Sequence, residues 1–464
     1  MAKGLLELVE LGDVISTSPV DKVKVSQKEI AIIGMALRFP MADNVDSYWE
    51  NIRNGVNCIS DFPEHRSAVM KKYIENGGFR KHKFMSGNPK EINFEKGGYL
   101  DEISEFDHVF FRLAPKDARL IDPQQRLFLE TGFKAIDDAG YGGDKIRGSR
   151  TGVFAGFMRD YVLDYLEYAA NTESYIDPEI IITNMSSLIA GRLSYTLDLH
   201  GPAMCYDTTC SSALLAVHYA VQSLRTGECE MAIAGGVKLR LLPYNFEHRL
   251  GIESSDDFVR TFDNEADGTL WGEGVAAVLL KPLSKAIRDR DNIHAVIKGS
   301  AVNQDGSSVG IAAPNALAQE DVVLKAWQDA RINPERISYV ETHGTATQLG
   351  DTIEMEGLMR AFRKHTDKKQ FCAVSSVKPN IGHLECASGM AGLIKAVMAL
   401  KNKEIPPSIN FIKPNRNIEF ENSPMYVNTR ARKWTTDSEL ALCGVNSFGM
   451  SGTNCHMILE EFCK

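Results

Sequence analysis

No apolar run among the 464 residues reaches the ~18 that a membrane-spanning helix requires, so neither a spanning helix nor a membrane partner is expected. The N-terminal Leu5, Leu6, Leu8, Val9 and Leu11 are broken by Glu7 and Glu10 and lack a cleavage-like region. They read as a short docking helix or a frayed tail rather than a signal peptide. The nine cysteines are scattered, with no C-x-x-C pair and no metal-ligand spacing, which argues against a disulfide scaffold and for reduced thiols in the cytoplasm. An excess of positive charge is missing too: 52 Lys and Arg face 61 Asp and Glu, a net charge of -9. Nucleic acid is therefore not the expected partner. An acidic partner would have to meet a local basic cluster, either Arg80, Lys81 and Lys83 or Arg430, Arg432 and Lys433. Ordinary solvated surface accounts for such clusters more often than docking does. Neither a Walker loop nor a G-x-G-x-x-G after a strand is present, so nucleotide and NAD binding have no support. His383-Leu384-Glu385 is not followed by the P-C-x-x-C of zinc deaminases, and no metal is implied.

What the chain does hold is an ordinary globular balance, 44% hydrophobic and 24% charged, with 37 glycines. Its length suggests two or three domain-sized units at ~150 residues each. Ile30 to Ala36, Gly152 to Gly156, Met231 to Val237, Ala276 to Leu280, Val296 to Gly299 and Ile337 to Val340 read as buried strands alternating with helical patterns. Such alternation argues for a layered α/β fold. Tandem repeats are absent, but the two halves echo each other. Thr208 to Ala213 opens a helix with Leu214, Val217, Val221 and Leu224 on one face, and Cys386 to Gly389 opens another with Leu393, Ile394, Val397 and Leu400. A pseudo-duplicated architecture follows, with the charged stretch Lys285 to Asp291 as a boundary between the halves.

Cys210 falls between a strand ending near Asp207 and a helix beginning at Ser211. A sulfur at a helix N-terminus is favoured as thiolate, and exposed amides there can hold an oxyanion. The bland reading is an inert thiol among small residues. Cys205, five residues earlier, has no helix terminus behind it and reads as core. Thr342 to Thr347 places His343 in a glycine-bearing loop after a strand, and Asn380 to His383 places His383 just before the second small-residue helix. One such histidine would usually be structural. Two, together with a helix-capping cysteine, match the scattered pattern of a thiol-nucleophile enzyme.

Asp207-Thr208-Thr209-Cys210-Ser211-Ser212-Ala213-Leu214 resembles the nucleophile motif of ketosynthase domains from type I modular polyketide synthases. Glu341 to Thr347, with Gly350, Asp351 and Glu354, resembles that family's first histidine motif, and Lys378 to Glu385 its second. Asp122 to Arg126 and Asn446 to Asn454 are further signatures in family order, and the resemblance runs from about Glu29 to Glu461. Gly251 to Asp256 and Ala266 to Gly274 are similar to ketosynthases that receive their extender acyl groups in trans.

The resemblance implies a thiolase-like fold, two pseudo-duplicated halves in five αβαβα layers. Residues 1–27 would form a tail or docking segment, 28–288 the half with the nucleophile, and 289–464 the half with the histidine loops. It implies that Cys210 takes an acyl chain from an acyl carrier protein and condenses it, with loss of CO2, onto a malonyl-type carrier thioester. Cys210, His343 and His383 would be catalytic, the neutral histidines donating Nε2–H to the thioester carbonyl. Lys378, Asp351 and Glu354 would support the histidines, the two carboxylates as anchors rather than acid/base groups. The amides of Cys210 and Phe448 would form an oxyanion hole, with the Phe448 ring as a gate, and Thr345 and Thr347 would bind pantetheine. No bound cofactor is expected beyond the phosphopantetheine carried by the carrier protein. The expected partners are carrier proteins, other synthase domains and a second copy of the chain, met along the strand before Cys210.

Two positions depart from the family pattern: Ala346 where glycine is usual, and Thr209 where alanine is common. Left-handed backbone at 346 would cost on the order of 1 kcal/mol and could shift His343. Three readings of function stay open: an elongating ketosynthase, a non-elongating gatekeeper that only passes acyl groups on, and a fatty-acid 3-oxoacyl synthase. Gatekeepers typically lose the first histidine, which this chain keeps as His343.

Overall fold

Runs that are apolar on both faces must be covered on both faces, which places helices on either side of the strands. The computed structural model describes residues 28–75, 94–158, 160–172, 178–242, 251–436 and 439–463. The N-terminal segment 1–27 and the Arg80, Lys81 and Lys83 cluster lie outside the described residues. In chain order the strands are β1 (Ile30–Arg38), β2 (Thr151–Gly156), β3 (Ala203–Tyr206), β4 (Met231–Lys238), β5 (Gly274–Pro282), β6 (Ala295–Gln304) and β7 (Ile337–Glu341). They continue with β8 (Cys372–Ser375), β9 (Glu404–Ile405), β10 (Met425–Val427), β11 (Arg432–Lys433), β12 (Leu442–Phe448) and β13 (Thr453–Glu460). Each strand expected from the sequence forms. Among the described residues, eleven strands share one hydrogen-bonded sheet in the order β10-β8-β7-β12-β13-β6-β1-β5-β4-β2-β3, and β11 pairs with β9 apart from it.

The duplication is visible in strand direction. From β1 outward, β5 and then β4 are antiparallel neighbours, followed by β2 and β3 in parallel. From β6 outward, β13 and β12 are antiparallel neighbours, followed by β7, β8 and β10 in parallel. The two sets meet where Ile30, Ala31 and Ile32 pair with Ile297, Val296 and Ala295. Between β5 and β6 the charged stretch forms the helix Leu283–Asp289, and Lys281 bonds Asp289 and Asp291, each at 2.7 Å.

Helices Pro123–Asp138 and Leu188–Leu197 cover the outer face of the β1–β5 set. Helices Ala316–Ala330 and Gln348–Arg363 cover the outer face of the other. Helices Ser212–Thr226 and Ser388–Asn402 lie between the two sets and against each other, completing five αβαβα layers. The middle position explains their composition, because every residue from Ser388 to Leu400 is buried. It also explains the small residues at both helix starts. A Cβ on Gly389 would stand 2.7 Å from Leu214 Cβ and 2.8 Å from its backbone nitrogen, so the crossing requires a residue without one.

Candidate active site

The crossing of the two middle helices brings their N-termini together, and each follows a motif residue. β3 ends at Tyr206, and the chain turns through Thr209 at φ 56° before helix Ser212–Thr226. Ser211, the expected first residue of that helix, is its N-cap. The turn is tied internally: Ser212 Oγ accepts from Thr208 N at 2.9 Å and donates to Thr209 O at 2.6 Å. The Phe448-Gly449-Met450-Ser451 segment after β12 is tied to it as well. Ser447 Oγ donates to Cys210 O at 3.0 Å, and a Cβ on Gly449 would meet Thr208 O at 2.3 Å. Cys210 is thereby held half-buried just ahead of the helix, with the Met450 amide directed at its sulfur.

Both histidines reach this sulfur. One ligand-capable atom each of Cys210, His343 and His383 lies within 4.8 Å of the other two. The rings of His343 and His383 meet edge-on with centroids 5.5 Å apart, and Phe448 lies 6.0 Å from His343. His383 Nδ1 accepts the Glu385 amide at 3.1 Å and lies 2.7 Å from Ser388 Oγ. A backbone N–H can only donate, so the proton of the neutral His383 ring sits on Nε2. Trp271 stacks on the same ring at 5.8 Å.

The His343 loop is held by the supporting residues. Glu354 accepts the His343 and Gly344 amides, each at 2.7 Å, and Asp351 accepts those of Ala346 at 3.0 Å and Phe262 at 2.7 Å. Lys378, which would ordinarily be exposed in a loop, is buried and donates Nζ–H to His343 O. Thr347 caps helix Gln348–Arg363 by accepting from Gly350 N at 3.2 Å, and its hydroxyl lies 3.0 Å from that of Thr345. Ala346 is left-handed at φ 61°, so the unusual alanine sits where glycine is preferred.

The electrostatics correct one expectation. The Cys210 thiol is favoured over the thiolate: burial pushes it up to about 11, and the Glu385 carboxylate adds to the rise. Lys378, the Met450 amide and Thr209 oppose this without reversing it. Desolvation outweighs the helix terminus. Burial also holds both histidines well below the ordinary imidazole range, with Lys378 acting in the same direction, so both rings are neutral. Burial raises Asp351 to about 7 and raises Glu354.

The three converging atoms could ligate a soft divalent ion. The Lys378 and Lys238 charges that depress His383 also weigh against a resident cation. Sequence reasoning missed Lys238, paired with Glu385, together with Trp271 and Met450. Trp271 and Met450 lie within the Ala266–Gly274 and Asn446–Asn454 signatures, but no local feature gave them a role, because their neighbours in space come from distant motifs. Arg430, Arg432 and Lys433 are exposed and lie at β11.

A fold of two duplicated halves with a cysteine and two histidines at the central helix ends defines a class, and comparison with known proteins identifies it. The family model for the beta-ketoacyl synthase N-terminal domain matches residues 27–286. The C-terminal domain model matches 294–412, and the ketoacyl-synthetase C-terminal extension matches 414–464. The chain belongs to the beta-ketoacyl synthase family, a class of C–C bond-forming acyltransferases. It is 42% identical to polyketide synthase PksM of Bacillus subtilis (strain 168) over 96% of its own length and 11% of that protein's. The chain thus spans about a tenth of the length of polyketide synthases PksM and PksL of that organism. The ketosynthase from module 6 of the bacillaene synthase of Bacillus subtilis 168 superposes with a TM-score of 0.81 at 40% identity, covering 94% of this chain and 72% of that one. An oxazolomycin ketosynthase domain of Streptomyces albus JA3453 gives 0.83 at 35% identity, covering 94% and 75%. The resemblance to polyketide synthase ketosynthases read from the motifs therefore holds.

Proposed function

We propose that the chain is an elongating ketosynthase in which Cys210 carries the growing acyl group. The convergence of Cys210, His343 and His383 within 4.8 Å supports this reading above all. In the first step the Cys210 sulfur attacks the thioester of an acyl carrier protein. Its proton passes to the departing pantetheine sulfur, which suits a thiol that rests protonated. The oxyanion of this step meets the amides of Cys210 and Phe448. In the second step the malonyl C–C bond breaks, CO2 leaves, and its electron pair forms an enolate on the thioester. His383 donates Nε2–H to the enolate oxygen, with His343 beside it; two neutral donors stabilise that charge without being consumed. The enolate carbon attacks the Cys210 acyl carbonyl, and collapse returns the cysteine as thiolate, which takes up a proton. Thr345 and Thr347 bind the pantetheine arm, and extender groups arrive on a carrier loaded in trans. A second copy docks along β3, which among the described residues is an edge strand paired only with β2 and carrying exposed Met204.

Intact-protein mass spectrometry with a simple acyl thioester tests the nucleophile: the wild type gains one acyl mass and Cys210→Ala gains none. Malonyl-carrier protein added next should yield a condensed product and free enzyme. A persistent acyl-enzyme without product would replace this reading with the gatekeeper. His383→Ala should self-acylate and fail to condense; loss of acylation as well would show that the labour is divided otherwise.

A further inference from the structure

His456 on β13 is fully buried and faces its register partner, Asn446 on β12. The Asn446 amide nitrogen donates to Glu354 Oε1 at 2.8 Å, an orientation fixed because Glu354 also receives the His343 and Gly344 amides as acceptor. Asn446 Oδ1 is then left facing His456 Nδ1 at 2.6 Å. An oxygen acceptor requires the proton on Nδ1, so the ring is the Nδ1–H tautomer, and its Nε2 has no hydrogen-bond partner among the described residues. The ring sits in a slot closed by Gly444, where a Cβ would come within 2.7 Å of His456 Cε1.

Between two core strands, an apolar pair would pack without desolvating an imidazole and an amide. Among the described residues, this line of polar groups reaches Glu354, and through it the backbone of His343. We propose that His456 and Asn446 are positioning residues for His343, holding the Glu354 carboxylate in the rotamer that grips the histidine loop. The inference rests on the reading of His343 as an enolate-binding group. It predicts that the relay serves condensation and not acyl transfer to Cys210.

The test measures self-acylation and condensation separately in the whole chain. In His456→Leu, which keeps the bulk and removes the donor, condensation kcat should fall roughly ten- to a hundredfold, with KM for malonyl-carrier protein and the self-acylation rate within about twofold of wild type. His456→Asn, whose amide nitrogen lies as many bonds from Cα as Nδ1 does, should recover most of the loss. Asn446→Asp sets a second carboxylate against Glu354, facing His456 and near Asp351, Lys378 and His343. The two carboxylates must share a proton to stay in contact. Condensation by this variant, relative to wild type, should therefore fall as pH rises through neutrality and return on acidification. Equal losses in His456→Leu and His456→Asn, parallel losses of acylation and condensation, or a flat pH ratio for Asn446→Asp would overturn the proposal. Should His456→Leu fail to fold, His456→Asn and Asn446→Asp decide alone. A wild type that acylates without condensing would fail the ketosynthase reading itself, a result distinct from any of these.

Discussion

Ala346 sets two small energies against each other. Its left-handed backbone costs about 1 kcal/mol relative to glycine, while its methyl is fully buried against Val259 and Ala266, a gain of roughly 0.8 kcal/mol. Ala346→Gly should consequently shift the urea unfolding free energy by less than about 1 kcal/mol and leave condensation within about twofold. Ala346→Val, β-branched at φ 61°, should lose clearly more of both. At Cys210 the balance is lopsided. With the thiol near 11, the thiolate is scarce at neutral pH and its fraction grows about tenfold per unit until that value is reached. Alkylation of Cys210 by iodoacetamide, followed by mass spectrometry, should climb from pH 7 to 10 without levelling. A plateau near pH 7 or 8 would mean that an ion pair with a histidine holds the thiolate after all. Both residues were legible as site candidates from their motifs. Their energetics were not, because the packing of Ala346 and the charge beside Cys210 depend on Val259, Ala266 and Glu385, residues far away in the chain.

At the scale of elements, the site is made by two helices crossing. The stripe of small residues before each was readable, and so was the repeat of strand and helix that makes the halves alike. The reason for the glycine at 389 was not, since Leu214 belongs to the other half. Gly389→Ala forces a methyl to within 2.7 Å of Leu214 Cβ, and separating the helices should cost roughly 1–3 kcal/mol, read by thermal or chemical denaturation. Because Cys210 and His383 stand at the two N-termini being separated, condensation should fall in the same variant. A fully stable, fully active Gly389→Ala would mean that the crossing relaxes without disturbing the site.

Across the whole molecule, the middle layer is pinned to β7 by charge. Lys395, on the helix Ser388–Asn402, meets Glu341 at 2.7 Å with both side chains essentially inaccessible. The same carboxylate accepts Tyr339 Oη at 2.6 Å and the Val377 amide at 2.8 Å. Removing one partner strands the other, so Lys395→Met should destabilise the chain by about 3–5 kcal/mol, and the double change Lys395→Met with Glu341→Gln by clearly less. Denaturation of the two variants side by side checks this. The Glu341 end of this pair lay within a recognised motif. The Lys395 end lies outside every recognised motif, on an apolar helix that only the five-layer stacking buries.

The sheet order has a consequence for how the chain is made. β1 is synthesised well before its partner along its length, β5, with Ile30 paired to Pro282, and its other neighbour, β6, comes later still. At elongation speeds of ~5–20 residues per second, the strand waits roughly ten to fifty seconds before either neighbour exists. Throughout that interval Ile30-Ala31-Ile32-Ile33 is an unpaired, uncharged β-forming stretch on an unfinished chain, the kind of segment that associates with others like it. Yield in a cell should therefore depend on chaperone occupancy of the nascent chain more than on the stability of the finished fold.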